Sequence, residues 1–277
     1  MKFLKWILYT SIFAACCAAG LCMATEKLLL GHIPAFGTAL HWFVIANTLC
    51  IYNLHYYIKR IPAGVSDRAD WTLRHRWVHP ALIVLGCLIS LVCLFYLPFK
   101  VILVSVGLGV LSLGYSVPIL PFPQKRRLKD WGLLKLFLLS MVWTAVTVLM
   151  PMAYWNKSFE AYEVEFLLRF TFMLPLCIAF DIRDMETDRE NSIYTLPNAI
   201  GLQRCFRLMD FFLLVLLGLA VWQYTRYPIL QRLWSALAII IVTKIVLVLS
   251  RKYRSDIFYL LFIDGMMLVY AAFILWR

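Results

Sequence analysis

The sequence predicts an all-α, polytopic membrane protein with about nine transmembrane helices in a single bundle. Hydrophobic residues make up 63% of the 277 residues, and the mean hydropathy is +0.80, well above the level of soluble domains. The apolar runs are each about 20 residues long, enough for a helix to cross the hydrocarbon core. They are continuous rather than alternating, which excludes a transmembrane β-barrel.

The nine predicted spans alternate with short connections that contain no long linker and no segment resembling a soluble module, so we expect residues 1–277 to form one domain. The first run, with Lys2 and Lys5 ahead of it, could be a signal peptide, but its apolar part is long for that and we expect a retained helix. The predicted spans are 3–24, 36–58, 78–97, 101–120, 133–154, 164–182, 205–224, 233–250 and 257–276.

The distribution of positive charge predicts the orientation. With the N-terminus in the cytoplasm, most of the 27 Lys and Arg residues fall on the cytoplasmic side of the nine spans, as the positive-inside rule requires. We therefore expect a multi-pass protein of the cell (inner) membrane. Its basic loops either bind anionic lipid headgroups or attract an anionic substrate. Nucleic acid is not an expected partner, because there is no soluble basic module to hold it.

An acidic stretch, FDIRDMETDRENSIYTLPNAIG at 180–201, follows the sixth span on the predicted cytoplasmic side. On a helix with about 100° per residue, Asp181, Asp184 and Asp188 fall within an arc of about 60°, whereas Glu186 points away. Carboxylates sharing one face repel each other unless a cation lies among them, and such oxygen ligands suit Mg²⁺. Arg183 could bind phosphate. The alternative is a solvated loop whose acids pair with neighbouring arginines.

This stretch resembles the second aspartate-rich motif of the UbiA-type intramembrane prenyltransferases, in which D-x-x-D-x-x-x-D leads into T-L-P and then Gly. The segment YSVPILPFPQKRRLKDWGLLK at 115–135 is similar to the family's Tyr, Pro and Lys pattern between helices four and five. The resemblance implies that Asp181, Asp184 and Asp188 are catalytic residues that hold Mg²⁺. It also implies that Lys125, Arg126 and Lys135 neutralise a departing diphosphate.

The resemblance implies a function as well. The family transfers an isoprenyl group from a polyprenyl diphosphate to an aromatic or other lipophilic acceptor within the bilayer, with Mg²⁺. The expected partners are therefore a polyprenyl diphosphate, a lipophilic acceptor and the lipid bilayer. The alternative is a catalytically degenerate UbiA-like protein that binds isoprenoid lipids without turnover.

The sequence departs from the family at its first acidic motif, which belongs after the second span. In TLCIYNLHYYIKR at 48–60, Asn53 stands where the motif has Asn, but Leu54 and Tyr57 stand where its first two acids belong. Asn53 and Arg60 are predicted substrate-binding residues, and His55 is a weaker candidate. Asp67 and Asp70 either replace the missing acids or are ordinary loop acids.

Polar residues inside predicted spans are further candidates for function. Asn47, His41 and Asp264 are of this kind, and Asp264 lies near the middle of the last span. It either binds substrate or pairs with a residue such as Lys244 on the preceding helix.

Overall fold

A computed structural model describes residues 2–58, 64, 66–116, 132–159, 162–190 and 195–276. Regular secondary structure within these ranges is entirely helical, as predicted for an all-α membrane protein. The helices are α1 Lys2–Tyr9, α2 Ile12–Leu30, α3 Ala39–Ile58, α4 Asp67–Arg74, α5 Val78–Leu94, α6 Phe99–Ser116, α7 Gly132–Thr144, α8 Met150–Tyr154, α9 Glu163–Glu190, α10 Leu196–Ile200, α11 Leu202–Arg226, α12 Leu230–Leu249, α13 Asp256–Phe258 and α14 Gly265–Leu275.

Two π-helical turns join neighbouring helices into longer ones. Ala145–Leu149 connects α7 to α8, and Tyr259–Ile263 connects α13 to α14. In the second turn the amide of Asp264 donates to the carbonyl of Tyr259 at 3.1 Å, five residues back. These turns therefore shift the register of the residues that follow them.

Five helical stretches in the described ranges are long and apolar enough to cross a membrane: Ile12–Leu30, Leu134–Tyr154, Leu202–Arg226, Leu230–Leu249 and Asp256–Leu275. A sixth arises if α4 and α5, which meet at an angle of 81°, form one broken span. This is a multi-pass membrane protein, but the predicted count of nine is not confirmed. The predicted spans 36–58 and 164–182 are helical, as α3 and α9, and α9 continues past residue 182 through the acidic stretch.

The first predicted span, 3–24, differs from the structure. Ser11 adopts a left-handed conformation, with φ of 62°, which is uncommon for a residue with a Cβ. The chain therefore forms two helices, α1 and α2. The second begins at Ile12 and continues beyond residue 24 to Leu30, where Gly31 closes it with φ of 79°.

Helix α9 lies at the centre of the bundle, where it packs against α7 and α11. Its middle turns carry side chains with almost no exposed surface, among them Phe172 and Ile178. Helices α3 and α5 also pack closely, and Gly86 is the reason. A Cβ at this position would lie 2.5 Å from Cys50 Sγ and 2.8 Å from the carbonyl oxygen of Ala46.

A buried ionic group stabilises the end of the bundle where α9 begins. Arg169 is fully buried, and its Nη2 lies 2.9 Å from Glu165 Oε1. Its guanidinium also donates to Thr147 Oγ1 at 3.1 Å and stacks on Tyr270, whose hydroxyl donates to Glu165. Burying a charge is costly unless it is paired and hydrogen-bonded, and this group meets that requirement.

Candidate active site

The three predicted aspartates lie along the last turns of α9. Asp181 and Asp188 are buried, Asp184 is half-buried, and Glu186 is exposed. The helical arc predicted from the sequence therefore matches the exposure of these side chains. The solvated-loop alternative does not, because the carboxylates sit on a helix and two of the three are buried.

Lys135, near the start of α7, reaches two of these carboxylates. Its Nζ lies 2.7 Å from Asp181 Oδ1 and 3.3 Å from Asp188 Oδ2. The other oxygen of Asp181, Oδ2, is buried and has no hydrogen-bond partner in the described part of the chain. A buried acceptor without a partner costs free energy, so this oxygen is available to a ligand.

Arg183 holds the third aspartate. Its Nε lies 2.8 Å from Asp184 Oδ1 and its Nη2 lies 3.3 Å from Asp184 Oδ2, a two-pronged contact. The guanidinium lies over the rings of Phe180 and Tyr259. Its Nη1 makes no hydrogen bond within the described ranges and lies 3.9 Å from Asp256 Oδ1. One donor edge of Arg183 therefore remains open.

Asp181, Asp184, Lys135 and Arg183 lie at the end of a cavity of about 280 Å³, whereas Asp188 does not line it. The volume is close to the lower bound for ligand pockets. Most of the cavity wall is apolar and comes from α3, α6, α7, α9 and the helix that ends in α14. Its charged wall groups are Arg68, Lys135, Asp181, Arg183, Asp184 and Asp264. Except for Asp264, these come from the end of the bundle where α3 and α9 finish. We call that end of the cavity its mouth.

Arg68 is a residue that the sequence reasoning did not single out. It lies in α4, is 3% exposed, and lines the cavity. Its Nη2 donates to the carbonyl of Tyr9 and to Ser11 Oγ, each at 2.9 Å. Its guanidinium lies 3.5 Å from the centre of the Tyr56 ring. No local pattern in AGVSDRADW marks this arginine as buried, because its position depends on the break at Ser11.

Asn53, a predicted substrate-binding residue, does not line the cavity. It is fully buried, and its amide nitrogen donates to the carbonyls of Thr10 and Leu49 at 3.0 and 2.8 Å. Its oxygen lies 2.7 Å from His79 Nδ1. The structure therefore gives Asn53 a place between helices, whereas Asn47 and His55 do line the cavity.

The other two acidic candidates, Asp67 and Asp70, lie away from the cavity. Asp67 pairs with Lys5 at 3.2 Å and is mostly exposed, and Asp70 accepts from the amide of Gly64 at 2.8 Å. Neither lines the cavity, so the structure does not bring these acids to the place of the missing motif.

Asp264 lines the cavity and is buried. The suggested pairing with Lys244 is wrong, because Lys244 binds Asp210. His41, the remaining polar candidate within a span, is buried beside Glu26 and lies 2.5 Å from its Oε2. It is not among the residues of the cavity wall.

Three predicted residues, Arg60, Lys125 and Arg126, lie outside the described residues. Among those that are described, no group of three or more His, Cys, Asp or Glu side chains is close enough together to form a metal site. The aspartates are instead engaged with Lys135 and Arg183.

Together these features define a class: a helical membrane protein with an apolar cavity that ends in a mouth of carboxylate, ammonium and guanidinium groups. A model of the UbiA prenyltransferase family matches residues 75–270, more than half of the chain. The chain belongs to the UbiA prenyltransferase family, and with it to the prenyltransferases.

Solved structures show the same fold. The chain is similar to a UbiA homologue from Archaeoglobus fulgidus bound to GPP and Mg²⁺, with a TM-score of 0.56 and 14% identity over 100% of this chain and 98% of that one. A structure of a UbiA homologue from the same organism bound to DMAPP and Mg²⁺ matches with a TM-score of 0.51 and 12% identity, over 99% and 96% of the two chains. No curated protein matches the sequence significantly.

Proposed function

We propose that this protein transfers an isoprenyl group from a polyprenyl diphosphate to an aromatic or other lipophilic acceptor within the membrane, and that it requires Mg²⁺. The observation that carries this proposal is the cavity: an apolar chamber for a prenyl chain that ends at Asp181, Asp184, Lys135 and Arg183. Homologues from Archaeoglobus fulgidus bound to GPP or DMAPP together with Mg²⁺ support it.

The described aspartates do not form a metal site as they stand, and a magnesium ion would have to displace Lys135 or Arg183 from them. Asp181 Oδ2 is a buried carboxylate oxygen with no hydrogen-bond partner among the described residues, and Asp184 lies one helical turn further along α9. Mg²⁺ prefers such oxygen ligands and is commonly shared between one or two carboxylates and substrate phosphates. Asp181, Asp184 and Asp188 would hold the ion, which when bound neutralises charge that develops on the diphosphate.

Protein side chains supply the rest of the electrostatic stabilisation. Prenyl transfer breaks the bond between the first prenyl carbon and a diphosphate oxygen, and the electron pair leaves with the diphosphate. The acceptor then forms a bond to that carbon and loses a proton. Lys135 and Arg183 are placed to donate to the leaving group, where fixed donors act most strongly in a site that excludes water.

The aromatic wall of the cavity suits the carbon that becomes electron-deficient. Phe180, Tyr52 and Trp143 line the cavity, and Trp143 Nε1 donates to the Tyr52 hydroxyl at 3.1 Å. Aromatic faces attract cations. The apolar wall beyond them would hold the isoprenoid tail.

We also propose that the mouth faces the cytoplasm and that the protein lies in the cell membrane. Lys135, Arg68 and Arg183 all belong to the end of the bundle that the positive-inside rule assigns to the cytoplasm. The hydrophilic diphosphate head of the substrate would enter the site from that side.

A second candidate function is binding of an isoprenoid diphosphate without turnover. The observation that favours it is the position of Lys135, whose Nζ engages two of the three carboxylates needed for a metal. The absence of acids at Leu54 and Tyr57 points the same way. Under this alternative the diphosphate binds, but the carbon–oxygen bond does not break.

One experiment tests both functions. Purified protein in nanodiscs is incubated with radiolabelled prenyl diphosphates of several chain lengths, with and without Mg²⁺, together with a membrane extract as the source of acceptor. We expect Mg²⁺-dependent release of diphosphate and a labelled lipophilic product. Saturable binding with no release in any condition would support the second candidate, and neither binding nor release would refute both.

A further inference from the structure

The end of α3 offers the mouth no carboxylate that could hold a metal ion in addition to one bound at α9. Leu54 and Tyr57 occupy the positions of the missing acids, and Tyr57 is 59% exposed. The side chains that α3 turns toward the mouth are His55 and Tyr56, which offer no carboxylate. A diphosphate bound at Asp181 and Asp184 must therefore be neutralised on this side by something other than a second metal.

Arg68 lies at this place. It rests on the ring of Tyr56, 3.5 Å from its centre, so it lies directly beside the end of α3. Its Nη2 is fixed by Tyr9 and Ser11, while its Nε is buried and has no hydrogen-bond partner in the described ranges. The guanidinium is thus fixed in position, and its Nε–H group can still donate to a ligand.

Arg183, on α9, resembles Arg68 in its surroundings. It also lies against aromatic rings, and its Nη1 has no hydrogen-bond partner among the described residues. Stacking on a ring occupies the face of a guanidinium and leaves its in-plane N–H groups for oxygen ligands, which they match in pairs. Within the part of the chain that the structure describes, the buried side-chain atoms of the cavity wall without a partner are two guanidinium nitrogens and one carboxylate oxygen, Asp181 Oδ2.

The two arginines share an acidic neighbour. The amide of Arg68 donates to Asp256 Oδ2 at 3.0 Å, and Arg183 Nη1 lies 3.9 Å from Asp256 Oδ1, so both residues lie next to one carboxylate and both line the cavity. Like charges held near each other in a mostly apolar cavity favour the binding of an anion. A phosphate group has oxygens that can accept from the remaining N–H groups of both guanidinium groups.

We propose that Arg68 and Arg183 form the cationic half of a diphosphate site that holds its metal only on the α9 side, so that a guanidinium pair takes the place of a second Mg²⁺. This inference rests on the proposed function, because it concerns how that same substrate is held. It makes Arg68 a substrate-binding residue and predicts a single metal ion per bound diphosphate.

The test measures binding rather than turnover. The probe is geranyl thiolodiphosphate, an analogue whose bridging sulfur resists cleavage, added to the full-length protein in nanodiscs. Mn²⁺ replaces Mg²⁺ so that bound metal can be counted by electron paramagnetic resonance at saturating analogue. We expect one Mn²⁺ per chain; two or more would overturn the proposal.

Variants test the role of Arg68 directly. Arg68→Gln should weaken analogue binding about tenfold to a hundredfold, the range for losing a hydrogen-bonded charge. Arg68→Lys should recover only part of this loss, because an ammonium lacks the paired donors. The matched control is Arg74→Gln, an exposed arginine on the same helix, which should bind the analogue as the wild type does.

The outcomes separate this proposal from the function on which it rests. If the wild type does not bind the analogue even with Mn²⁺, the proposed function is wrong. If it binds but Arg68→Gln binds equally well, the guanidinium pair is wrong and the function stands. If Arg68→Gln does not fold, the metal count on the wild type still decides the question.

Discussion

Nζ of Lys135 lies 2.7 Å from Asp181 Oδ1 and joins the start of α7 to the end of α9. The same ammonium contacts Asp188. It therefore holds together two carboxylates that would otherwise repel each other, and it does so at the place where we propose a metal ion.

Replacing Lys135 should make the stability of the protein depend on divalent metal. Removing one partner of a buried ion pair costs about 3–5 kcal/mol, so Lys135→Gln should unfold at a lower temperature in EDTA. Added Mg²⁺ should restore much of this loss, because it can neutralise the carboxylates that have lost Lys135. Thermal unfolding in detergent with EDTA or Mg²⁺ measures this. Lys244→Gln, which loses a pairing with Asp210 away from the cavity, should show no effect of Mg²⁺.

Asp184 should be essential for release of diphosphate. Asp184→Asn removes the charge of a proposed metal ligand and one of the two oxygens that accept from Arg183, and we expect activity to fall by about a hundredfold or more. The measurement is release of diphosphate from a radiolabelled prenyl diphosphate. Glu186→Gln, two residues away on the exposed side of α9, should stay within about twofold of the wild type. An Asp184→Asn enzyme with full activity would remove this residue from the site.

Asn53 should matter for stability rather than for binding. Asn53→Ala leaves the carbonyl of Thr10 and Nδ1 of His79 without the contact that Asn53 provides, which costs about 1–3 kcal/mol in a buried position. Thermal unfolding should register this loss, while the affinity for geranyl thiolodiphosphate in the folded protein stays the same. A variant that is fully stable but binds the analogue tenfold more weakly would instead make Asn53 a substrate-binding residue.

The ion pair at the opposite end of the bundle should be structural only. Arg169→Met leaves the buried Glu165 without its ion-pair partner, and we expect a loss of about 3–5 kcal/mol of stability. The double variant Arg169→Met/Glu165→Leu should recover part of it, because no unpaired charge remains. Unfolding temperatures of the single and double variants provide the comparison. If the double variant is the less stable of the two, the unpaired charge of Glu165 is not the cause of the loss in the single variant.

The sequence was sufficient to predict the features that depend on local periodicity. The apolar runs predict a helical membrane protein, and a rotation of about 100° per residue brings Asp181, Asp184 and Asp188 to one side and leaves Glu186 outside, as found. Lys135 was predicted to be near a diphosphate and does meet these aspartates. Such features need no knowledge of how distant helices pack.

The features that depend on packing could not be predicted. Arg68 reaches the cavity because the chain breaks at Ser11, which frees the carbonyl of Tyr9 as a partner for the guanidinium. Asn53 matches a family motif by position, but its side chain contacts His79 and lies between helices instead of facing the cavity. The sequence allows Asp264 either to pair with Lys244 or to bind a substrate. In the structure Lys244 pairs with Asp210 instead.

The two π-helical turns have a consequence for how the cavity can change. Each contains one residue more than a regular α-helix needs, and each contributes to the cavity wall, through Val146 and Leu260. Deleting a single residue from Tyr259–Ile263 would rotate everything beyond it by about 100° and swing Asp264 toward a different neighbour. Insertions or deletions of one residue in these turns, and not only substitutions, can therefore change which side chains face the ligand in relatives of this protein.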